Sequence, residues 1–265
     1  MNAISYFFAK HRVFAFLFSF FAYGVIFGVG VLYYTFNAPI WLMVLYELLV
    51  LLISFNFQSG AITKLNQNIS VEYKNSCDPY VLLDFCEKVL SYKISPMVRQ
   101  SLLITKSTAL YQLGMFGESK EILDAVNIDR YAGIGYLVKM AYYNNLFAVC
   151  QKLGETERAE FYKEKFFKMH ADLNGKKEKE KMDYLKRSIE VKWLMIGERY
   201  DEALKLADGL SEKTLLDKVF KKNTLGKIYM KLGDTEAARR EFSFVAQNGN
   251  RLYIASEAKE MIEKM

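Results

Sequence analysis

Formal charge is almost absent from the first sixty residues, and this constrains the fold more than any other feature of the sequence. Residues 61–265 hold nearly all the charged side chains, whereas the first sixty residues contain only Lys10, Arg12 and Glu47. The chain has 3 Pro in 265 residues and is rich in Leu, Lys, Glu, Tyr and Ala, which favours long helices over sheets. The sequence therefore predicts an all-α protein with a membrane-embedded first part.

Two apolar runs in this part are long enough to cross a bilayer. Residues 13–35 and 39–57, taken as helices, would span about 34 and 28 Å. The Val, Leu, Ile and Phe side chains of the first run favour insertion by about 4 to 8 kcal/mol. The second run has a similar content, so the cost of its one Glu, roughly 3 kcal/mol, does not overturn it. Because only residues 36–38 connect the runs, we expect a transmembrane hairpin.

Flanking charges predict the topology of this hairpin. Lys10 and Arg12 precede it, Lys64 and Lys74 follow it, and the connection carries no charge. By the positive-inside rule, both termini face the cytoplasm, so the protein is integral to a membrane, the cell membrane if it is bacterial. A cleaved signal peptide is the alternative for the first run. That run is longer than a signal peptide needs, and it ends without a small-x-small cleavage site.

Two polar or small-residue features lie inside the hairpin. Gly24 and Gly28 form a GxxxG pattern, which is typical of close helix packing, either within the hairpin or between two copies of the chain. Glu47 lies near the middle of the second run, and an ionisable side chain at that depth is a functional candidate. A hydrogen bond from a protonated Glu47 to Tyr23 is the structural alternative.

The remainder of the chain reads as a linker followed by a helical domain. Residues 58–78 are polar, with apolar side chains only at Ile62, Leu65 and Ile69, and form the predicted linker. Asp78 then caps a helix that has Pro79 at its first position. The predicted segments are an N-terminal cytoplasmic segment, the hairpin, the linker and a repeat domain, at residues 1–12, 13–57, 58–78 and 79–265.

One stretch, Asn223 to Asn250, has the spacing of a two-helix repeat. Gly233 supplies the left-handed residue that ends a helix, Gly226 allows a neighbouring helix to approach, and Phe242 fills the gap. The other residues at positions of this pattern are Leu225, Tyr229, Asp234, Ala238 and Val245. This stretch resembles the tetratricopeptide repeat (TPR), a helix pair that recurs every 34 residues.

Three earlier turns align with this unit by their glycines. Gly114, Gly154 and Gly197 precede Gly233 at intervals of 40, 43 and 36 residues, all above the period of the family. The preceding helices are predicted at 99–113, 137–153, 183–196 and 218–232, and a terminal capping helix at 252–265. In the third unit, the turn after Gly197 is predicted to have one residue more than usual. The resemblance implies a TPR-like α-solenoid.

A mixed-charge run at residues 172–187 has two interpretations. It contains six basic and three acidic side chains between Lys176 and Arg187, which is typical of the exposed start of a helix. The alternative is contact with anionic lipid headgroups.

Motifs for catalysis are not found in the sequence. It contains no phosphate-binding loop, no nucleophile elbow, no HExxH and no CxxC, and its only histidines are His11 and His170. We therefore expect no enzyme, no cofactor, no metal site and no nucleic-acid partner. The three cysteines, Cys77, Cys86 and Cys150, agree with a reducing compartment.

The resemblance implies a protein partner, a peptide or helix, in a groove lined by the first helix of each pair. Positions about six, nine and ten residues before the turn glycines face this groove, and they carry Asn144, Asn145, Arg187, Asn223 and Lys227. The alternative is that these are ordinary solvated polar side chains. The expected function is a membrane-anchored scaffold or adaptor at the cytoplasmic face. A membrane transport or intramembrane complex, with Glu47 functional and the solenoid regulatory, is the alternative.

Overall fold

The protein is helical throughout the part that the structure describes, which in this computed structural model comprises residues 2–34, 40–130 and 134–265. No strand occurs in these ranges, which confirms the predicted all-α class. The helices are α1 (Asn2–Lys10), α2 (Arg12–Tyr34), α3 (Ile40–Ser76), α4 (Pro79–Leu90), α5 (Pro96–Gln112), α6 (Phe116–Ala125), α7 (Tyr136–Lys152), α8 (Thr156–Ala171), α9 (Lys176–Ile196), α10 (Tyr200–Ala207), α11 (Leu215–Leu232), α12 (Thr235–Asn248) and α13 (Tyr253–Glu263).

Local sequence explains several of the helix starts. Pro79 is the first residue of α4, and the backbone amide of Tyr80 donates to the Asp78 carboxylate at 3.1 Å, as the predicted cap requires. Thr214 and Asp217 form a reciprocal capping box at the start of α11. These caps satisfy amides that have no partner within their own helix.

The structure divides into two compact units. Unit 1 comprises Met1–Ile69 with Glu87–Arg99, and unit 2 comprises Ser70–Cys86 with Gln100–Met265. Helix α3 continues through most of the predicted linker and ends at Ser76. The segment boundaries predicted from composition, at residues 12, 57 and 78, stay predictions.

Small side chains line the contact between α2 and α3 in unit 1. Ala15 and Ser19 on α2, and Val50 and Ser54 on α3, are at most 2% exposed. The hydroxyl of Ser54 donates to that of Ser19 across 3.2 Å. Each pair is separated by four residues and therefore lies on one helix face, where short side chains let two helices approach closely.

A buried amide joins three segments of unit 1. The Nε2 atom of Gln58 donates to the backbone carbonyl oxygens of Ala9 at 2.8 Å and of Lys93 at 3.1 Å. Because Gln58 is only 5% exposed, these bonds replace water at a group that is costly to bury unpaired. They connect the end of α1, the middle of α3 and the segment after α4.

Large apolar side chains point outward from α2 and α3. Among the described residues of unit 1, ten on these helices are more than one third exposed: Val13, Phe14, Leu17, Phe18, Phe21, Leu45, Leu48, Leu49, Leu52 and Ile53. Within the described residues, no single helix is long and apolar enough to cross a membrane. The consecutive segments Leu48–Ser54 and Asn56–Ser76, which meet at 41°, satisfy the same length and composition criteria only as a pair.

Unit 2 is a series of helix pairs in chain order. From α6 to α13, each helix packs against the next one, and α7 also packs against α9, the first helix of the following pair. Helix α6 contacts α5 through the hydroxyl of Ser119, which donates to the carbonyl oxygen of Ser107 at 2.8 Å. This arrangement is that of a helical repeat domain, in which each pair buries its apolar face against its neighbours.

The core is continuous from one pair to the next. One cluster joins α7, α8 and α9 through fully buried side chains that include Phe147, Phe166 and Ile189. The following cluster joins α9, α10 and α11 around Val191 and Ile228. Helix α9 therefore contributes to both clusters, since Ile189 and Val191 lie on different faces of it.

The four pairs share one turn. In each, a residue with positive φ ends the first helix, and the amide of the next residue donates to the carbonyl oxygen five positions earlier. These five-residue hydrogen bonds measure 2.9 to 3.0 Å and run from Met115 to Leu110, Glu155 to Cys150, Arg199 to Leu194 and Asp234 to Tyr229. This is the Schellman motif, which satisfies carbonyl groups at a helix end.

The predicted position of the third turn is wrong by one residue. Gly197 has φ −79°, and Glu198, with φ 56°, takes the left-handed position that Gly114, Gly154 and Gly233 occupy elsewhere. Gly197 is thus the residue that precedes the left-handed one. Counted from Glu198, the turn to Ala203 has the same length as the other three, so no extra residue is present.

The contact predicted for the last pair is confirmed. A Cβ atom added to Gly226 would lie 2.8 Å from the ring of Phe242, so only glycine leaves room for this ring. Phe242, Ala238 and Val245 are fully buried on α12. The basic run forms the start of α9 at Lys176, where Glu178, Lys179 and Glu180 are exposed.

Replacement of Glu198 by glycine should stabilise the protein. A non-glycine residue in the left-handed region costs about 1 to 2 kcal/mol, and the extra chain entropy of glycine offsets about 0.5 to 1 of this. We expect Glu198→Gly to raise the free energy of unfolding by about 0.5 to 1 kcal/mol, measured by denaturant titration of the detergent-solubilised chain. Gly154→Ala, at φ 75°, is the matched control and should destabilise. A loss of stability in Glu198→Gly would contradict the shared turn.

Candidate functional site

The side chain of Asn145 packs one helix pair onto the previous one. Its Nδ2 atom donates to Thr108 Oγ1 at 2.7 Å and approaches the Ile104 carbonyl oxygen at 3.3 Å, both on α5. Asn145 is nine residues before the left-handed Gly154, at the spacing that the sequence predicted. Its amide therefore bonds within the domain.

Arg187 also bonds within the domain. Its guanidinium donates to the backbone carbonyl oxygen of Gly209, just beyond the end of α10. A cation at the C-terminal end of a helix satisfies a free carbonyl and interacts favourably with the helix dipole. Arg187 thus joins α9, the first helix of the third pair, to the end of α10, the second helix of the same pair.

Two amides remain without a bond. Asn144 is half-buried and makes no hydrogen bond with the described residues. Asn223 is only 9% exposed, and its Oδ1 atom has no partner in the described part of the chain. An unpaired amide in a largely buried position costs free energy, so Asn223 is an unusual residue to find on this helix face.

Lys227 is one of two lysines that share a carboxylate. Its Nζ atom lies 2.8 Å from Oε2 of Glu257, and the Nζ atom of Lys152 lies 2.9 Å from Oε1 of the same side chain. Burial would raise the pKa of Glu257, but the bonds and charges of Lys227 and Lys152 lower it overall. Glu257 therefore stays ionised and bridges α7 to α11 from its place on α13.

A third lysine, Lys192 on α9, completes this group. Burial, together with the positive charges of Lys152 and Lys227, lowers its pKa to about 8. Lys192 forms no ion pair with any described residue. We refer to Lys152, Lys192, Lys227 and Glu257 as the lysine cluster.

Lys192 is not among the predicted surface residues because the third turn was predicted one residue too early. Lys192 is six residues before Glu198, and Lys227 is six residues before Gly233, so the two lysines occupy equivalent positions in successive pairs. Counting from Gly197 selected Arg187 instead. The equivalent spacing of the two lysines is present in the sequence, but it can be identified only when Glu198 is known to be the left-handed residue.

Aromatic side chains border the cluster on the side of the first pair. The rings of Tyr111, Phe116 and Tyr253 lie 5.1 to 5.8 Å apart, and the Nζ atom of Lys152 is 4.6 Å from the centre of the Tyr253 ring. Burial raises the pKa of Tyr111 to about 12 and raises that of Tyr253 as well. Both phenols are thus neutral near pH 7, and the contact of Lys152 with the ring is a cation–π interaction.

Helix α13 reaches further than a terminal cap. It packs on α12, and Tyr253 also meets Tyr111 and Phe116, while Glu257 bonds to α7 and α11. Just before α13, the Asn250 side chain donates to the Ser76 carbonyl oxygen at 2.9 Å. The last helix therefore ties the first, second and fourth pairs of unit 2 together.

The predicted intramembrane residues are only partly described. Tyr23 is half-buried on α2, and a Cβ atom added to Gly24 or Gly28 would meet no described atom within 4 Å. The side chain of Glu47 lies outside the described residues. The close helix contact that the structure does show uses Ser19 and Ser54, about one turn away from Tyr23.

No group of His, Cys, Asp and Glu side chains with a metal-binding arrangement occurs in the described ranges. The one short histidine contact of this kind joins Nε2 of His170 to Oδ1 of Asp183 at 2.8 Å. It connects α8 to α9 and shares no residue with the lysine cluster. The chemistry that the cluster offers is the binding of negative charge.

The charge of Lys192 should destabilise the protein in a pH-dependent manner. Its pKa is lower in the folded chain, so the penalty is complete below pH 8 and disappears as pH rises from about 8 to 10.5. We expect Lys192→Met to be more stable than the unmodified protein by about 2 kcal/mol at pH 7, and this difference to shrink by pH 9.5. Denaturant titrations across this range measure it.

The difference in stability between Lys192→Met and the unmodified protein reports on Lys192 alone. Burial raises the pKa of the Cys77 and Cys150 thiols to about 11, and these groups, like the tyrosines, titrate in both proteins. The exposed Lys231, one turn beyond Lys227, provides the control Lys231→Met, which should show no such difference. A Lys192→Met difference that does not change with pH would contradict the assignment.

Comparison with known proteins identifies no relative of this chain. No family model matches the chain, no curated protein matches its sequence, and no solved structure matches its fold. Membership of the TPR family therefore stays a prediction, which rests on the repeated turns and on the residues of the last pair.

Proposed function

We propose that this protein is a membrane-anchored, TPR-like scaffold that binds a protein partner at the cytoplasmic face. The observation that carries this proposal is the fourfold repetition of one helix–turn–helix unit in unit 2. Repeats of this kind present the same face of each first helix side by side, which creates a surface for an extended peptide or a helix.

The membrane part of the proposal is supported by unit 1. Its ten exposed apolar side chains on α2 and α3 form a surface that water would disfavour and that lipid would accommodate. Polar contacts between these helices, such as the one from Ser54 to Ser19, point inward. We therefore retain the hairpin at residues 13–35 and 39–57, with both termini and the repeat domain in the cytoplasm. A homo-oligomer through Gly24 and Gly28 remains part of this proposal.

Among the predicted partner residues, Asn144 is the one best suited to contact a ligand. It is half-buried and unbonded within the described chain, whereas Asn145, Arg187 and Lys227 each already bond to another part of unit 2. Breaking an existing buried bond in order to bind a ligand would cost about 1 to 3 kcal/mol per bond. Contacts by those three would thus be formed with their present bonds intact.

A reporter fused after Met265 should be cytoplasmic. The flanking positive charges favour the cytoplasm and the connection between the spans carries none, so an even number of spans returns the chain to its starting side. The measurement is protease treatment of intact cells, with digestion after permeabilisation as the control. Digestion of the C-terminal domain in intact cells would overturn the topology.

Site-specific photocrosslinking tests the partner surface without disturbing the fold. A photoreactive amino acid at Asn144 should crosslink to a discrete protein in membranes, because this position lies on the face of a first helix. The same amino acid at the exposed Arg240, on the second helix of the last pair, is the matched control and should not crosslink to that protein. Equal crosslinking from both positions, or none from Asn144, would contradict the proposed surface.

A further inference from the structure

Three successive first helices each contribute one ammonium group to the lysine cluster. Lys152 comes from the end of α7, Lys192 from α9 and Lys227 from α11, and one carboxylate, that of Glu257, lies between the first and the last. Three positive charges against one negative charge leave two positive charges unbalanced. The charges that act on the pKa of Lys192 are the positive charges of Lys152 and Lys227.

The cluster retains hydrogen-bond donors that the fold does not use. Each ammonium group has three N–H donors. Lys152 and Lys227 each use one on Glu257, and Lys192 uses none on any described residue. Free ammonium donors on three helices are therefore available to bind an anion.

A second observation on the same face is independent of these charges. Asn223 is one helical turn before Lys227, so both side chains project from the same face of α11. The amide of Asn223 is 9% exposed and its oxygen atom has no described partner. The nitrogen and oxygen of such an amide can exchange places by a flip, so it can donate to an anion or accept from a protonated one.

Charge and geometry together select the ligand. An excess of two positive charges matches a phosphate group, which carries close to two negative charges at neutral pH, better than it matches chloride or a single carboxylate. Lysine binds phosphate as a point charge and needs no fixed planar geometry. A purely structural position for Lys192 would be filled more favourably by an uncharged side chain of similar length.

We propose that Lys152, Lys192 and Lys227 form a binding site for a phosphate group, with Asn223 as a further hydrogen-bonding partner. The group belongs to a free phosphorylated small molecule or to a phosphorylated side chain of another protein. The inference rests on unit 2 alone and goes beyond the proposed scaffold function, because the site is complete without a protein partner.

Equilibrium dialysis with radiolabelled inorganic phosphate tests the site directly. The detergent-solubilised full chain should bind about one phosphate per chain, saturably and at constant ionic strength. Lys192→Met should weaken this binding about ten-fold or more, since a charge-assisted hydrogen bond and a full charge are removed. Lys231→Met, which alters an exposed lysine of α11 outside the cluster, should bind like the unmodified protein.

Further arms separate folding from binding and identify the source of the phosphate. Lys192→Met should unfold at the same or a higher temperature than the unmodified protein, so its weaker binding would not reflect lost structure. Competition by N-acetyl-phosphoserine amide as strong as that by phosphate indicates a phosphorylated side chain, and competition by phosphate alone indicates a small molecule. Absence of saturable binding up to about 10 mM, or equal binding by Lys192→Met, would overturn the proposal.

Discussion

The hydrogen bond that closes each left-handed turn is the constraint on which unit 2 depends. In all four pairs, an amide donates to a carbonyl oxygen five positions earlier, and the next helix begins at once. The residues that start these second helices have nearly the same backbone angles, with φ between −81° and −87°. Because the turn fixes the direction of the second helix, the same turn repeated four times gives each pair the same internal geometry. Neighbouring pairs can then share a core, as α9 does with both of its neighbours.

The last helix shows how such a series is closed with charge as well as with apolar contacts. Glu257 brings one carboxylate to two lysines that belong to α7 and α11, and Tyr253 brings an aromatic ring to the first pair. A partly buried ion pair contributes little net stability unless its groups are well bonded, and loss of one partner leaves an expensive charge. Removal of Glu257 would leave three ammonium groups without a carboxylate. Helix α13 thus sets both the closure of the unit and the charge of the lysine cluster.

The sequence predicted the fold where local chemistry leaves one choice. Glycine at Gly114, Gly154 and Gly233 is almost required at positive φ, and Gly226 is required by the ring of Phe242, so both features could be identified from spacing. Glu198 could not be identified, because nothing in a glutamate marks a left-handed residue when a glycine precedes it. Because of that shift of one position, the six-residue offset fell on Val191 rather than Lys192, and the ten-residue offset selected Arg187. The bonds of Asn145 and the place of Glu257 depend on tertiary contacts, which a linear pattern does not encode.

The unfavourable environment of Lys192 indicates that this lysine serves binding and not only solubility. An exposed lysine does not reduce the free energy of unfolding. Lys192, in contrast, loses hydration and lies near two like charges, and both effects together lower its pKa to about 8. The fold does not need this charge, because the helices around it are held by the cores on either side and by the bonds of Lys152 and Lys227 to Glu257. Natural chains keep locally unfavourable residues chiefly at sites of function, where the ligand supplies the missing interaction. The free energy lost at Lys192 in the empty protein is therefore available as binding energy for an anion.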